Sequence, residues 1–239
     1  MPLVILFIKA PEYGRVKTRL VPAFGKAMTL SLYRCFVETT LARLDAFAPL
    51  RIAYSPEKKK NVIKEWLSES HEMRPQRGGD VGKRMENALT DAFSEGHAKA
   101  VIIGGDIPDL PVGLIDEAFQ ALTTFDTVFV PVSDGGYCLV GARKGALLTP
   151  LFEGMRWSHH SVMAETIKRA KAHNISLRCL AGWQDIDTPD DFLAFARRQE
   201  SRDDCPALFR KAARILSDNE DYPRDDAHEH ADADEAPHP

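Results

Sequence analysis

Apolar residues along this chain come in two rhythms. Short runs, the clearest of them rich in Val, Ile and Leu, occupy residues 3–8, 50–54, 73–76, 99–103, 127–130, 136–141 and 176–179, with a shorter piece at 184–186, and predict strands. Between them apolar positions recur at helical spacing. The clearest case is 81–94, where Val81, Met85, Ala88, Leu89, Ala92 and Phe93 share one face and Asp80 is placed to cap the first turn. Further helices are predicted over 25–44, 56–67, 112–122, 162–173, 189–199 and 206–216. Strand and helix alternate, the signature of βα units around a mostly parallel sheet, so the fold class is α/β. No internal repeat or interdomain linker breaks the pattern, and 239 residues suit one domain of the larger α/β kind, which we bound at 1–217.

Charge changes the picture at the C-terminus. Residues 218–239 carry nine acids against the single Arg224, so a net charge of -4 for the whole leaves the body at +4. This acidic, His-containing stretch has almost nothing apolar to bury and reads as disordered. The mildly basic body suits a polyphosphate ligand; its Lys and Arg form no long stripe with interleaved aromatics, so nucleic acid is not expected as a partner. No apolar run approaches the roughly 20 residues of a membrane span, and the first residues lack a basic n-region and a cleavage site, which predicts a cytoplasmic protein. Cys35, Cys138, Cys179 and Cys205 are isolated, with no zinc-ligand spacing, and read as reduced, mostly buried thiols.

Three short segments carry candidate chemistry, each just past an expected strand. In open α/β sheets ligands bind outside the carboxyl ends of the strands, so these segments are the ones placed to meet. The first, Gly14-Arg15-Val16-Lys17-Thr18-Arg19-Leu20, is a cationic loop in which Lys17 and Arg19 alternate toward one anion, with Gly14 turning the backbone. The second, Gly104-Gly105-Asp106-Ile107-Pro108, lets the chain turn tightly at Gly105 and presents Asp106 as a hard oxygen ligand for Mg²⁺ or Mn²⁺. The third runs from Asp185 to Asp191. Thr188, Pro189, Asp190 and Asp191 are explained by a helix start and a capping-box variant, whereas Asp185 and Asp187 precede it and either can serve as a second metal ligand, Asp187 being nearer the turn.

Two further stretches are compatible with a ligand or with plain structure. Asp134-Gly135-Gly136 is satisfied by a hairpin turn, yet leaves room for phosphate at Gly135 and Gly136 and a carboxylate at Asp134. Trp157 and Ser158 offer a ring and a hydroxyl; Trp157 as core packing and Ser161 as a helix cap are the competing explanations. Adjacent His159 and His160 make a poor metal pair.

Taken in order, Lys17-Thr18-Arg19-Leu20, the run from Gln76 to Arg84, Gly105-Asp106-Ile107-Pro108, Asp134-Gly135-Gly136-Tyr137, Trp157-Ser158 and the segment from Asp185 to Asp191 resemble the bacterial family of GT-A-fold, nucleotide-diphospho-sugar transferase-like proteins, some labelled arsenosugar-biosynthesis glycosyltransferases. The likeness spans roughly residues 1–200. More distantly, the Lys-Thr-Arg-Leu loop and the Gly-Asp-x-Pro turn are similar to phospholactate and molybdenum-cofactor guanylyltransferases. The resemblance implies a mostly parallel mixed sheet flanked by helices and a nucleotide held against a divalent metal at Asp106. Many GT-A glycosyltransferases carry an Asp-x-Asp metal motif; here Asp106 is followed by Ile107-Pro108-Asp109, which displaces the second carboxylate.

The expectation is therefore a metal-dependent transferase acting on a nucleotide-activated donor, a glycosyltransferase first. Asp106 and Asp187 hold Mg²⁺ or Mn²⁺, Asp106 and Asp134 are the catalytic candidates, and Gly14, Lys17, Arg19, Gly105, Gly135, Gly136 and Ser158 bind phosphate. The alternatives are nucleotidyl transfer from an NTP to a small phosphorylated or carboxylated acceptor with release of pyrophosphate, and a nucleotide-binding protein without turnover.

Overall fold

The first strand, β1 (Pro2–Lys9), is apolar at nearly every position because both of its faces are covered. It lies inside a seven-stranded sheet, paired in parallel with β2 (Leu50–Ser55) on one side and β4 (Lys99–Gly104) on the other. β3 (Glu72–Pro75) extends the sheet beyond β2. Beyond β4 come β6 (Tyr137–Arg143), β5 (Thr127–Pro131) and β7 (Leu177–Cys179), giving the order β3-β2-β1-β4-β6-β5-β7. β6 runs antiparallel to both its neighbours and the other strands share one direction. This computed structural model describes residues 1–45, 47, 49–67, 71–157, 159–199 and 205–218.

Alternation along the strands sorts the helices onto two faces. Val4, Leu6, Ile8, Val101 and Ile103 meet α1 (Val21–Leu44), α2 (Lys60–Leu67) and α4 (Val112–Ala121). Leu3, Ile5, Ala100 and Ile102 meet α3 (Val81–Ser94), α5 (Thr149–Phe152) and α6 (Val162–Ala172). α1 is apolar on two sides: Tyr33, Val37 and Leu41 face the sheet, while Leu32 and Phe36 face α7 (Pro189–Gln199) and α8 (Ala207–Asp218). There Phe36, Phe192, Phe195 and Phe209 form one aromatic cluster, with ring centroids as close as 5.0 Å.

The α/β class and the mixed, mostly parallel sheet stand as expected, and α3 and α7 have the limits read from periodicity. The Asp80 carboxylate caps α3, accepting the Lys83 N–H at 2.8 Å. Three readings are corrected. Residues 184–186 form no strand; past β7 the chain is tied to the sheet edge at single points, Leu180 N–H to the Phe129 carbonyl, Trp183 N–H to that of Pro131 and Ile186 N–H to that of Asp106. α1 begins at Val21, its two parts separated by a non-helical Gly25 (φ 71°, ψ 162°). The four-residue α5 was not foreseen, being too short to show a period. The acidic stretch lies outside the described residues, apart from Asp218, which ends α8. Of the cysteines, Cys138 and Cys205 are buried, Cys35 partly so, and Cys179 is exposed.

Candidate active site

The cationic loop is pinned at two points. Val16 is buried in the core between sheet and α1, and Leu20 in the cluster under α7 and α8. A chain anchored at both positions turns Lys17 inward and leaves Arg15 and Arg19 exposed. Lys17 sits in the left-handed region (φ 45°, ψ 47°), uncommon for a residue with a Cβ. Two charge-assisted hydrogen bonds compensate: its Nζ donates to Asp106 Oδ2 and Asp187 Oδ1, each at 2.6 Å. Lys17 and Arg19 do converge on one anion, the Asp187 carboxylate, which Arg19 Nη1 reaches at 3.4 Å, and Lys17 also bridges it to Asp106.

Those carboxylates are held by backbone. Gly105 donates its N–H to the Phe7 carbonyl at 3.0 Å, and a Cβ there would press on Ile8 and Val37, so only glycine lets the turn lie against β1. The Asp106 carbonyl accepts from Ile186 N–H at 3.2 Å, fastening the second segment to the third. Asp191 Oδ2 accepts from the Asp187 and Thr188 N–H groups at 3.1 and 2.7 Å, and Thr188 Oγ1 accepts in return from Asp191 N–H at 3.2 Å. The cap of α7 thus orients Asp187 as well as starting the helix. Asp109 is excluded from the group: buried, it accepts from Arg198 Nε at 2.7 Å and Trp183 Nε1 at 3.1 Å.

Asp106, Asp185 and Asp187 bring carboxylate oxygens within 4.8 Å of one another. Burial would lower the Lys17 pKa, but the two carboxylates outweigh it and hold the ammonium above its ordinary range. Asp187 is raised by burial and lowered further by Lys17 and Arg19, so it stays ionised. Asp185, buried and beside the charges of Asp106 and Asp187, is pushed up to about 7. A hard-oxygen donor set that already holds a cationic ammonium fits Mg²⁺ or Mn²⁺, which use few carboxylates and fill their shells with phosphate and water.

Asp106 and Asp187 of this cluster line a cleft of about 510 Å³ whose walls also carry Lys9, Arg15, Arg19 and Arg84 as well as Gly105 and Gln76. Gln76 and Arg84 were noted only as part of a motif, and Lys9 not at all. Gln76 Nε2 donates to the carbonyls of Ile8 and Ala53 at 3.1 and 2.8 Å, so the residue also locks the ends of β1 and β2 together. Asp185 had been left as an alternative to Asp187; the fold brings both to Asp106.

The remaining glycines have structural duties. Gly14 (φ 70°) turns the loop with its Cα facing the Lys26 side chain. Asp134 accepts the Gly136 N–H at 2.9 Å, making the turn between β5 and β6, and its charge reaches Asp185. Gly135 (φ 87°) lies against the His160 backbone, where a Cβ would overlap the carbonyl oxygen, and its own carbonyl accepts from Met163 N–H at 2.8 Å. Gly135 and Gly136 are thus occupied by packing and turn geometry. Gly135→Ala is expected to cost more than about 3 kcal/mol, lowering the melting temperature by roughly 6–12 °C, whereas Gly79→Ala, with open space around it, should shift it by less than about 2 °C; calorimetry compares the two. Trp157 is core packing, stacked near Phe152 and lying over Gly82. Ser161 holds the cap position of α6, but its hydroxyl pairs with His159 Nδ1 at 2.7 Å instead of capping. Ser158 lies outside the described residues.

Known proteins resemble this chain along much of its length. A crystal structure from Desulfovibrio desulfuricans G20, provisionally described as a nucleotide-diphospho-sugar transferase, is 33% identical and superposes with a TM-score of 0.81 over 91% of this chain and 94% of its own. Among curated proteins, 3-phospho-D-glycerate guanylyltransferase of Phenylobacterium zucineum is 30% identical over 126 residues, 51% of each chain. The 2-phospho-L-lactate guanylyltransferase of Methanocaldococcus infernus is 28% identical over 112 residues, 47% of this chain and 50% of its own. The chain thus matches about half the length of these curated relatives, and the resemblance read from its motifs is borne out. With a family model matching residues 39–159, half of the chain, and a 33% identical structure aligned over nearly all of it, the protein belongs to the family of uncharacterized proteins conserved in bacteria designated DUF2064.

Proposed function

We propose that this protein is a cytoplasmic, metal-dependent transferase acting on a nucleotide-activated donor, and that the reaction is nucleotidyl transfer. The observation that carries the reading is the meeting of opposite charges at one sheet edge: a cationic cleft lined by Asp106 and Asp187, with Asp185 clustered beside them, the arrangement a polyphosphate chelating a divalent cation requires. Arg15, Arg19, Lys9 and Arg84 would neutralise the phosphates, and Lys17 keeps Asp106 and Asp187 aligned. A cation on these carboxylates would supply Lewis-acid stabilisation of charge at the transferred phosphorus. The acceptor oxygen attacks the α-phosphorus, the bond to the β-phosphate breaks, and pyrophosphate departs with the bonding pair. Exposed Asp134, whose charge reaches Asp185, is the carboxylate we would test for taking the acceptor's proton.

Nucleotidyl transfer now stands ahead of glycosyl transfer for two reasons. Asp109 is committed to Arg198 and Trp183, so no Asp-x-Asp-like pair forms within the second segment, and both curated relatives are guanylyltransferases. Glycosyl transfer keeps the support of the Desulfovibrio likeness, which extends over far more of the chain.

A thermal-shift screen against the four NTPs and against UDP-, GDP- and ADP-sugars, with and without Mn²⁺, tests this. A ligand at about 100 times its Kd adds about 2.7 kcal/mol, or roughly 5–10 °C for a chain of this size. A metal-dependent shift with an NTP, followed by pyrophosphate release with an acceptor mixture, is expected. A shift confined to a nucleotide sugar selects glycosyl transfer, binding without product under all conditions selects a non-catalytic role, and no shift removes all three.

A further inference from the structure

A second cleft, of about 480 Å³, is lined by residues next in the chain to Asp134 and Asp185. Pro131, Val132 and Ser133 form one wall, Gly182, Trp183 and Gln184 the other, and Arg198 of α7 the back. Both walls lead into the candidate active site, since Ser133 precedes Asp134 and Gln184 precedes Asp185, and the Trp183 N–H to Pro131 carbonyl bond at 3.0 Å ties them together.

The lining is rigid and largely apolar. The Trp183 ring is fixed by its Nε1 hydrogen bond to Asp109 and by the Arg198 guanidinium 5.6 Å from the ring centroid. Arg198 spends Nε on Asp109 and Nη1 on Gln184 Oε1 at 3.1 Å, while its Nη2 is buried without a hydrogen-bond partner. That Nη2 has no surface open to the cleft, so the donor the lining offers is Gln184 Nε2, on an amide whose oxygen is already taken.

We propose that this cleft is the acceptor site, and that it takes an uncharged, hydroxylated molecule with an apolar face. The Arg198 cation is already matched by buried Asp109, so a phosphate or carboxylate would meet no unmatched positive charge here. The cations that suit phosphate line the other cleft. Trp183, Pro131 and Val132 provide the flat apolar wall on which the C–H face of a ring packs, and the free amide N–H of Gln184 suits a hydroxyl, ether or carbonyl oxygen. Each wall continues along the chain directly into Asp134 or Asp185, which links the cleft to the candidate active site. This assignment rests on the proposed transferase reading for the word acceptor, but not for the existence or chemistry of the site.

The test titrates the full chain by calorimetry with 4-nitrophenyl β-D-glucopyranoside as a neutral probe, with 3-phosphoglycerate as an anionic one, and with GTP in the presence of Mn²⁺. Ser133→Trp, at an exposed position of the wall, fills the cleft without touching the core, and Gln184→Ala removes one donor. Saturable binding of the glucoside with a Kd of about 1–10 mM is expected, lost in Ser133→Trp and weakened about threefold or more in Gln184→Ala, with the GTP titration unchanged in both. Glucoside binding that survives Ser133→Trp, 3-phosphoglycerate binding that Ser133→Trp abolishes, or no glucoside binding at all would each overturn the proposal. If GTP fails to bind the unmodified protein, the nucleotide that the thermal-shift screen selects replaces it, and if none binds, the transferase reading falls instead, leaving the glucoside titration to decide on the cleft.

Discussion

Lys17→Met is expected to lower stability at neutral pH by about 2–3 kcal/mol, a fall in melting temperature of roughly 4–12 °C. Lys17 has only 7% of its side chain exposed and is shared by two carboxylates. Removing it leaves Asp106 and Asp187 facing each other with no cation between them. Breaking a fully buried pair costs about 3–5 kcal/mol, and we take the lower figure because Asp106 and Asp187 are 31% and 37% exposed and water screens part of the repulsion. The sign of the pH dependence follows from the two shifts. The raised Lys17 pKa contributes stability present below its unfolded value of about 10.4 and lost at higher pH. The lowered Asp187 pKa contributes stability present above about 3.9 and lost as pH falls further. The gap between wild type and variant should accordingly close in acid and widen as pH rises through about 7, where Asp185, whose ionised form Lys17 favours, gives up its proton. Adding Mn²⁺ should raise the melting temperature of Lys17→Met more than that of wild type, because the carboxylates no longer hold an ammonium. Lys17→Met/Asp187→Asn should recover part of the loss, as contacting residues do in a double-mutant cycle. Equal melting curves for wild type and Lys17→Met at pH 7 would show that the bridge does not form in solution.

Asp106→Asn is expected to act on turnover more than on folding. The turn is held by the Gly105 N–H to the Phe7 carbonyl and by the Asp106 carbonyl to Ile186 N–H, neither of which involves the side chain. The amide keeps the turn but removes one of the two charges on buried Lys17, so it should cost about 1–2 kcal/mol of stability, less than Lys17→Met because Asp187 remains. Its effect on kcat/KM is expected to be about 10²–10³, because the charge removed is the one shared by Lys17 and the candidate cation site. Nucleotide binding without divalent cation should be nearly unchanged, and the Mn²⁺-dependent part of the thermal shift should vanish. A variant with full Mn²⁺-dependent stabilisation and normal turnover would remove Asp106 from the site.

The amino-acid sequence by itself determined the parts that depend on near neighbours. Periodicity identified the strands and the limits of α3 and α7, since a buried face must repeat along the element that presents it. It placed Asp106 in a glycine turn at the end of β4 and recognised Asp191 as a helix-start residue, both consequences of backbone chemistry within a few positions. Local pattern also suggested a strand at 184–186, where β-forming residues are held to the sheet edge by isolated hydrogen bonds and no ladder forms. Tertiary structure alone decided which charges meet. Lys17 and Asp187 are 170 positions apart, and the inward turn of Lys17 follows from Val16 and Leu20 being buried in two different clusters. The duties of Gly135 and Asp109 were settled in the same way, by the His160 backbone and by Arg198 with Trp183, because occupancy of space and pairing of buried charge depend on whatever the fold brings alongside.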